Sequence, residues 1–165
     1  MSVLRTNKIY PRDGLPAGAS GGGIIQTVTV NDSTTTTISS TSYADTGLSA
    51  SITPTSSSNK ILIFVTVPAQ IYRLALEPIG GLRLLRGATQ IIEYPYAYTM
   101  EAAPSANSRV FFTYVFNSQY LDSPATTSSV TYKIQGKVYT TSNSNVLNYN
   151  SNSATSTITL VEVSG

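Results

Sequence analysis

The stretch KILIFVTVPA, residues 60–69, decides the fold of this chain. Alternate side chains of a β-strand point to opposite faces, and here both alternating sets are mainly apolar. Positions 61, 63, 65 and 67 hold Ile or Val, with Leu62, Phe64 and Thr66 between them. β-Branched residues favour strand over helix, and Pro68 lacks the N–H that a central ladder needs. The sequence therefore predicts a central strand that ends at Pro68 and is covered on both faces.

Short alternating segments, separated by turn residues, continue from this strand in both directions. Leu82–Arg86 and Gln90–Tyr94 are joined by Arg86-Gly87-Ala88-Thr89, which predicts a tight hairpin. The other predicted strands cover residues 24–30, 34–40, 49–53, 109–116, 130–140, 146–149 and 155–163. With roughly nine to eleven short strands and no convincing amphipathic helix, residues 24–165 are predicted to form an all-β, jelly-roll-like β-sandwich.

Some segments of this domain are less regular. Residues 43–48 are expected to be a connection, and residues 117–127 a loop. Ile71–Leu76 fits either a strand or a turn of helix, because Leu74, Ala75 and Leu76 suit both. Gly136 interrupts an otherwise alternating strand, which is typical of a β-bulge.

The composition disfavours catalysis and metal binding. The chain has no Cys and no His, which removes thiolate metal sites, the commonest general base and the usual nucleophile–base pairs. An all-oxygen metal site would need closely spaced ligands, but Asn31-Asp32-Ser33 fits a turn better. The carboxylates that could be paired for glycoside cleavage are Glu77, Glu93, Glu101 and Asp122. Their places near turns and edges fit solubility better, so we expect a non-enzymatic protein with no cofactor.

The charges and apolar runs also bear on possible partners. Charged residues make up 11% of the chain, against roughly 25% in ordinary soluble domains, and Ser and Thr are abundant instead. No apolar run approaches the roughly 18–20 residues of a membrane span, so no membrane insertion is expected. From Gly21 onward seven basic residues balance seven acidic ones, which argues against nucleic-acid binding by the domain.

Residues 1–23 are predicted to form an extended N-terminal arm that ends in the flexible linker Gly21-Gly22-Gly23. Pro and Gly residues break any regular element there, and the excess positive charge of the whole chain lies in this arm. Short apolar anchors and basic residues suit docking along an acidic partner, although a solvated tail is the alternative. The residues predicted to dock are Arg5, Lys8, Ile9, Tyr10 and Arg12.

Two features of the domain suggest contacts beyond the single chain. The strands at residues 60–69 and 109–116 are apolar on both faces. One two-layer sandwich does not need this much apolar strand surface. A homotrimer, associated through these faces, is the expected state. In addition, Tyr94, Tyr96 and Tyr98 would lie on one face of a regular strand. This tyrosine row fits the core, a subunit contact or a receptor surface, where tyrosine rings can stack on sugars.

The order of several motifs resembles a β-rich module of tail-fibre and other virion proteins of tailed phages, including cyanophages. The motifs are TGLSASITP (46–54), SNKILI (58–63), LLRGATQI (84–91), YLDSPATT (120–127), VTYK (130–133) and STITLVEV (156–163). The resemblance covers residues 24–163. It implies a virion module, often trimeric, and it implies no catalytic residues.

Two locations on a phage particle are compatible with this resemblance. A short domain with an anchoring arm and no shaft before it favours a capsid decoration, or cement, protein that docks on the major capsid protein. The alternative is a short tail-fibre or tail-tip protein that binds the host surface, including its glycans, through 94–98 or 117–127. In both cases the chain is expected in the virion, assembled in the host cytoplasm and exposed on the particle surface.

Overall fold

The structure is a computed structural model that describes residues 23–74, 79–99 and 109–165. The predicted arm, with Arg5, Lys8, Ile9, Tyr10 and Arg12, lies outside the described residues apart from Gly23. Two short 3₁₀ turns lie at Ser142–Ser144 and Ser151–Ser153. The strands are β1 Ile24–Asp32, β2 Thr36–Ile38, β3 Ala44–Ile52, β4 Lys60–Leu74, β5 Ile79–Arg86, β6 Thr89–Thr99, β7 Arg109–Asp122, β8 Val130–Val138, β9 Val146–Tyr149 and β10 Ser156–Val163.

The strands form two antiparallel sheets that pack face to face. In the first sheet the order is β1-β10-β4-β9-β2, and β7 pairs with the other edge of β4. The second sheet has the order β3-β8-β5-β6. The predicted all-β sandwich is therefore confirmed, and its inner faces meet in a core of aliphatic side chains. The fully buried members of largest volume are Tyr132, Tyr149, Leu48, Ile61, Ile63, Ile71, Leu82, Leu84, Ile134, Leu147 and Ile158.

The central position of β4 is confirmed, but its predicted end at Pro68 is wrong. β4 pairs with β7 along one edge from Ile61 to Leu74. On its other edge it pairs with β10 as far as Thr66 and with β9 from Ala69 onward. Pro68 lies in the gap between those two partners, where its carbonyl oxygen accepts a hydrogen bond of 3.2 Å from the backbone N–H of Asn150. A proline is tolerated there because its missing N–H points into the gap and interrupts no ladder bond.

Strands β4 and β7 both run further than the sequence predicts. The ambiguous 71–76 segment is strand as far as Leu74. β7 runs to Asp122, so residues 117–122 are strand and not the predicted loop. The full pairing of β4 with β7 explains both differences, because each strand supplies the hydrogen bonds that the other needs.

The predicted connection at residues 43–48 is mostly strand, and the predicted bulge lies on a different strand. β3 begins at Ala44, and its pairing with β8 shifts between Asp45 and Ser49, around Gly47 with φ of +98°. Gly136 instead pairs regularly with Ala44 and Leu82. It is glycine because a Cβ at this position would overlap the hydroxyl oxygen of Tyr149 and lie 2.8 Å from its Cζ. Packing, and not backbone conformation, therefore requires this glycine.

The carboxylate of Asp122 joins the end of β7 to the second sheet. It is buried, and it accepts bonds of 3.0 and 2.9 Å from Arg86 and one of 2.7 Å from the Tyr132 hydroxyl. We expect Asp122→Asn to lower the free energy of unfolding by about 1–2 kcal/mol, because the two hydrogen bonds from Arg86 lose the negative charge of their acceptor. The loss is moderate because the Arg86 guanidinium is partly solvated. Urea denaturation measures this loss, and Asp45→Asn, which changes an exposed carboxylate paired with Lys133, should stay near wild type. Equal losses in the two variants would contradict the assignment.

Candidate functional site

The predicted tyrosine row does not exist as one face, because β6 is bulged within it. The pairing of β6 with β5 shifts between Tyr94 and Tyr98, opposite Gly80 and Leu82, and Tyr96 has φ of +58°. The alternation of a regular strand is therefore lost at this point. The side chain of Tyr98 lies outside the described part of the structure.

Tyr94 points into the sandwich and contacts the first sheet. Its ring meets that of Phe116 edge to face at 4.8 Å, and its hydroxyl lies 2.5 Å from the Ser118 hydroxyl. Burial raises the pKa of the Tyr94 phenol, although the bond with Ser118 opposes this. Tyr94 is thus half-buried and packs the edge strand β6 against β7. Of the three roles open to the tyrosine row, packing in the core agrees with the position of this residue.

Tyr96 points the other way, onto the outer face of the second sheet. Its side chain is 58% exposed, and its ring stacks on that of Tyr139 at 4.8 Å with an angle of 11° between the planes. Tyr139 follows the last residue of β8. Gly81 lies beneath, and a Cβ there would approach the Tyr139 and Tyr43 rings to 3.3–3.4 Å. Because Gly81 has no side chain, the Tyr43 and Tyr139 rings can pack directly on the outer face of the sheet.

Two cations lie against these rings. The Lys137 amine is 4.4 Å from the centre of the Tyr43 ring and 4.7 Å from that of Tyr139. The Arg83 guanidinium lies 4.3 Å from the centre of the Tyr43 ring and donates to the Gln135 side-chain oxygen at 2.6 and 2.9 Å. Cation–π contacts of this kind help to hold the Tyr43 and Tyr139 rings in place. We call the set Tyr43, Arg83, Glu93, Tyr96, Lys137 and Tyr139 the tyrosine cluster.

Glu93 supplies the negative charge of the tyrosine cluster. The Tyr43 hydroxyl donates to its carboxylate at 2.6 Å, and the Lys137 amine lies 3.6 Å away. The hydrogen bond from Tyr43 lowers the pKa of Glu93, and the Lys137 charge adds to this. Burial and the bond to Glu93 both raise the pKa of Tyr43. The tyrosine cluster therefore combines the Glu93 carboxylate with the Arg83 and Lys137 side chains and three tyrosine rings.

A second surface is formed by the outer faces of β4 and β7 in the first sheet. It exposes Phe64, Val115 and Leu121, which are 41%, 48% and 50% accessible. Leu121 lies directly opposite Leu62, and Val115 opposite Pro68. Between these apolar groups lies an open groove of about 440 Å³, lined by Phe64, Thr66, Asn117 and Gln119 among others. We call this surface, with the edge of β7 that pairs with no described strand, the β7 face.

β7 is a long strand that pairs with one described neighbour. Within the described ranges β7 pairs with β4 alone, over fourteen residues. Its interior, VFFTYVFNSQYL at residues 110–121, contains no charge and no proline. Natural edge strands normally carry such residues because an unprotected edge pairs with other chains. The β7 face therefore combines exposed apolar side chains with a long uncharged strand.

Acidic side chains do not cluster in the parts of the chain that the structure describes. No group of three or more Asp or Glu side chains there could hold a metal ion. Asn31 and Asp32 lie in β1, so the chain turns only after the first two residues of the predicted turn, and there the Asp32 carboxylate accepts from the Thr34 backbone N–H at 2.9 Å. Within the same ranges, no helix has the length and apolar character needed to cross a membrane.

Comparisons with known proteins give little information about this chain. No known protein family matches it, and no curated protein matches it in sequence. A solved insecticidal delta-endotoxin from Bacillus thuringiensis is similar over 77% of this chain, with 16% identity and a TM-score of 0.37. The chain spans about a fifth of that toxin's length, since the match covers 19% of it. No functional statement about this chain follows from so weak a likeness.

Sequence reasoning pointed to Tyr96 but missed its neighbours. Arg83, Tyr139 and Tyr43 belong to segments other than that of Tyr96, and the pairing of β5 with β6 and β8, and of β8 with β3, brings them together. A signal was available in β8, where Lys133, Gln135 and Lys137 alternate outward. Extending that alternation by two residues places Tyr139 on the same outer face.

Proposed function

We propose that this protein is a non-enzymatic structural protein of a phage particle, in which three copies associate through the β7 face. The observation that carries this proposal is the fourteen-residue edge of β7, uncharged from residue 110 to 121 and flanked by exposed Phe64, Val115 and Leu121. Covering this surface in a homo-oligomer removes its exposed apolar area from water. The motif order at residues 46–163 supports the phage assignment as a resemblance.

The proposed place on the particle is the capsid surface, as a decoration protein. The basic segment with Arg5, Lys8 and Arg12 would dock on the shell, and β1 starts directly after it with the exposed Ile24 and Ile25. A protein that binds the assembled shell and not its free subunits stabilises the shell by mass action. The alternative location is a tail tip that binds the host surface, and the exposed ring of Tyr96 favours that second candidate.

The oligomer is tested by placing a charge on the β7 face. We expect Val115→Lys to convert the wild-type trimer to a monomer with an unchanged circular dichroism spectrum, because Val115 is exposed in the single chain but buried in the contact. Light scattering coupled to gel filtration measures the mass. The matched control is Ser51→Lys on the outer face of the second sheet, which should remain trimeric. A monomeric wild-type protein, or a trimeric Val115→Lys variant, would contradict the proposed contact.

The arm is tested by deletion. A chain without residues 1–20 is expected to remain a folded oligomer, since the described strands begin at Ile24, but to lose binding to particles. Sedimentation with particles that lack the endogenous protein measures the binding. Copy number then separates the two locations, because a decoration protein follows the number of capsomers and a tail-tip protein is confined to one vertex. Unchanged incorporation of the shortened chain would refute the docking role of the arm.

A further inference from the structure

We propose that the tyrosine cluster is a carbohydrate-binding surface that takes a pyranose ring against Tyr96. The Tyr96 ring is stacked on Tyr139 on one side, and more than half of its side chain is accessible. The stack fixes the orientation of the ring and leaves its other face toward solvent. A flat aromatic ring presented in this way is suited to the C–H face of a sugar, which is apolar while the sugar's edge is polar.

The backbone at Tyr96 supports a role for its side chain. A φ of +58° is unfavourable for tyrosine and favourable for glycine. Local backbone geometry therefore gives no reason for an aromatic residue here, and the exposed ring adds little to the core. The bulge between Tyr94 and Tyr98 turns this one ring outward, which is a common use of bulges beside binding sites.

The polar groups beside the stacked rings match the hydroxyls of a sugar. Glu93 is an ionised acceptor, held by the Tyr43 hydroxyl at 2.6 Å and by the Lys137 amine at 3.6 Å. Arg83 is a donor whose bonds go to the neutral amide oxygens of Gln135 and Gln90, so these partners do not cancel its charge. Sites for small ligands combine an apolar floor with a few fixed polar groups in this manner.

The inference deepens the second candidate function, recognition of a host surface, and rests on it for its biological setting. The choice of a sugar over a protein partner follows from the size of the platform, which is one exposed ring beside a charged and amide-rich sheet face. Binding is tested on purified protein without particles. A failure to bind sugars therefore leaves the decoration proposal intact, and a failure to bind particles leaves this inference intact.

The experiment is saturation-transfer NMR of the full chain with five probes at millimolar concentration. They are methyl glucoside, methyl galactoside, N-acetylglucosamine, glucuronic acid and N-acetylneuraminic acid, so that neutral and acidic pyranoses are distinguished. We expect transfer from protein to the ring protons of at least one probe. In Tyr96→Gly the affinity for that probe should fall about tenfold or more, whereas Tyr96→Phe, which keeps the ring, should bind like wild type.

The variants are chosen so that each result is informative. Tyr96→Gly suits the positive φ at this position, so it should fold, and its melting temperature confirms this. The control is Ser51→Ala, which changes an exposed side chain elsewhere on the outer face of the second sheet and should leave sugar binding unchanged. The proposal is overturned if no probe receives saturation, if Tyr96→Gly binds like wild type, or if Ser51→Ala loses binding to the same extent.

Discussion

Glu162→Gln is expected to lower the free energy of unfolding by about 3–5 kcal/mol, because it disturbs a buried carboxylate on which several donors converge. Glu162 lies on β10 with no accessible surface. Its two oxygens accept from the Thr55 amide at 2.7 Å, the Thr55 hydroxyl at 2.8 Å, Asn59 at 2.6 Å and Gln26 at 2.5 Å. A glutamine must turn an NH₂ group toward one of these donors, so it loses that bond as well as the charge.

The same group makes stability depend on pH. Burial pushes the pKa of Glu162 upward, but the hydrogen bonds from Asn59, Gln26 and Thr55 outweigh it and lower the pKa from 4.5 to about 2. A carboxylate whose pKa is lower in the folded chain stabilises the fold above its unfolded value and loses this effect as the pH falls. We therefore expect the difference between wild type and Glu162→Gln to be full at pH 7 and to shrink between about pH 4.5 and 2.

Urea denaturation of both proteins across this pH range measures the effect. Glu93→Gln is the matched control, because it changes a carboxylate whose pKa is also lowered but which is exposed on the sheet surface. Its loss of stability should be well under that of Glu162→Gln. A difference between wild type and Glu162→Gln that stays constant from pH 7 to the acid limit would show that the carboxylate's charge is not involved.

Gly136→Ala is expected to cost about 3 kcal/mol or more, the upper end of the range for overpacked cores. The new methyl group would overlap the hydroxyl of Tyr149 and lie 2.8 Å from its Cζ. Tyr149 has no accessible surface and sits at the end of β9, so the ring has little room to move. Relief would require the sheets to separate locally.

Thermal and urea denaturation measure this loss, and two further variants identify its cause. Gly87→Ala adds the same methyl group where no atom lies within 4 Å, although φ is +58°, so only backbone strain of about 1 kcal/mol is expected. Adding Tyr149→Phe to Gly136→Ala removes the closest atom and should recover part of the stability. If Gly136→Ala were no worse than Gly87→Ala, the packing explanation for Gly136 would be wrong.

The sequence was sufficient for the class of the fold because alternation is a local property. Ile61, Ile63 and Val65 share one face only in a strand, and their β-branched side chains favour strand over helix. The hairpin at Gly87 is local in the same sense, since two turn residues between alternating segments determine it. Both predictions agree with the structure for this reason.

Strand lengths were underestimated because pairing overrides local signals. The sequence predicts a strand end at Pro68, but a proline stops a ladder only where a partner needs its N–H, and here two partners leave a gap. It predicts a bulge at Gly136, but the role of this glycine depends on the ring of Tyr149, which lies in another strand. A sequence shows which residues are unusual, and tertiary contacts decide what they are for.

The sequence by itself determined that this chain is a β-sandwich with more apolar strand surface than its own core requires and without the residues of a His- or Cys-dependent enzyme. Only the tertiary structure decided where the excess lies, on the outer faces of β4 and β7, and that the Tyr96 ring of β6 is presented to solvent. The physical reason is that alternation along one strand is fixed by covalent geometry, whereas register, bulges and neighbours are fixed by pairing between distant segments.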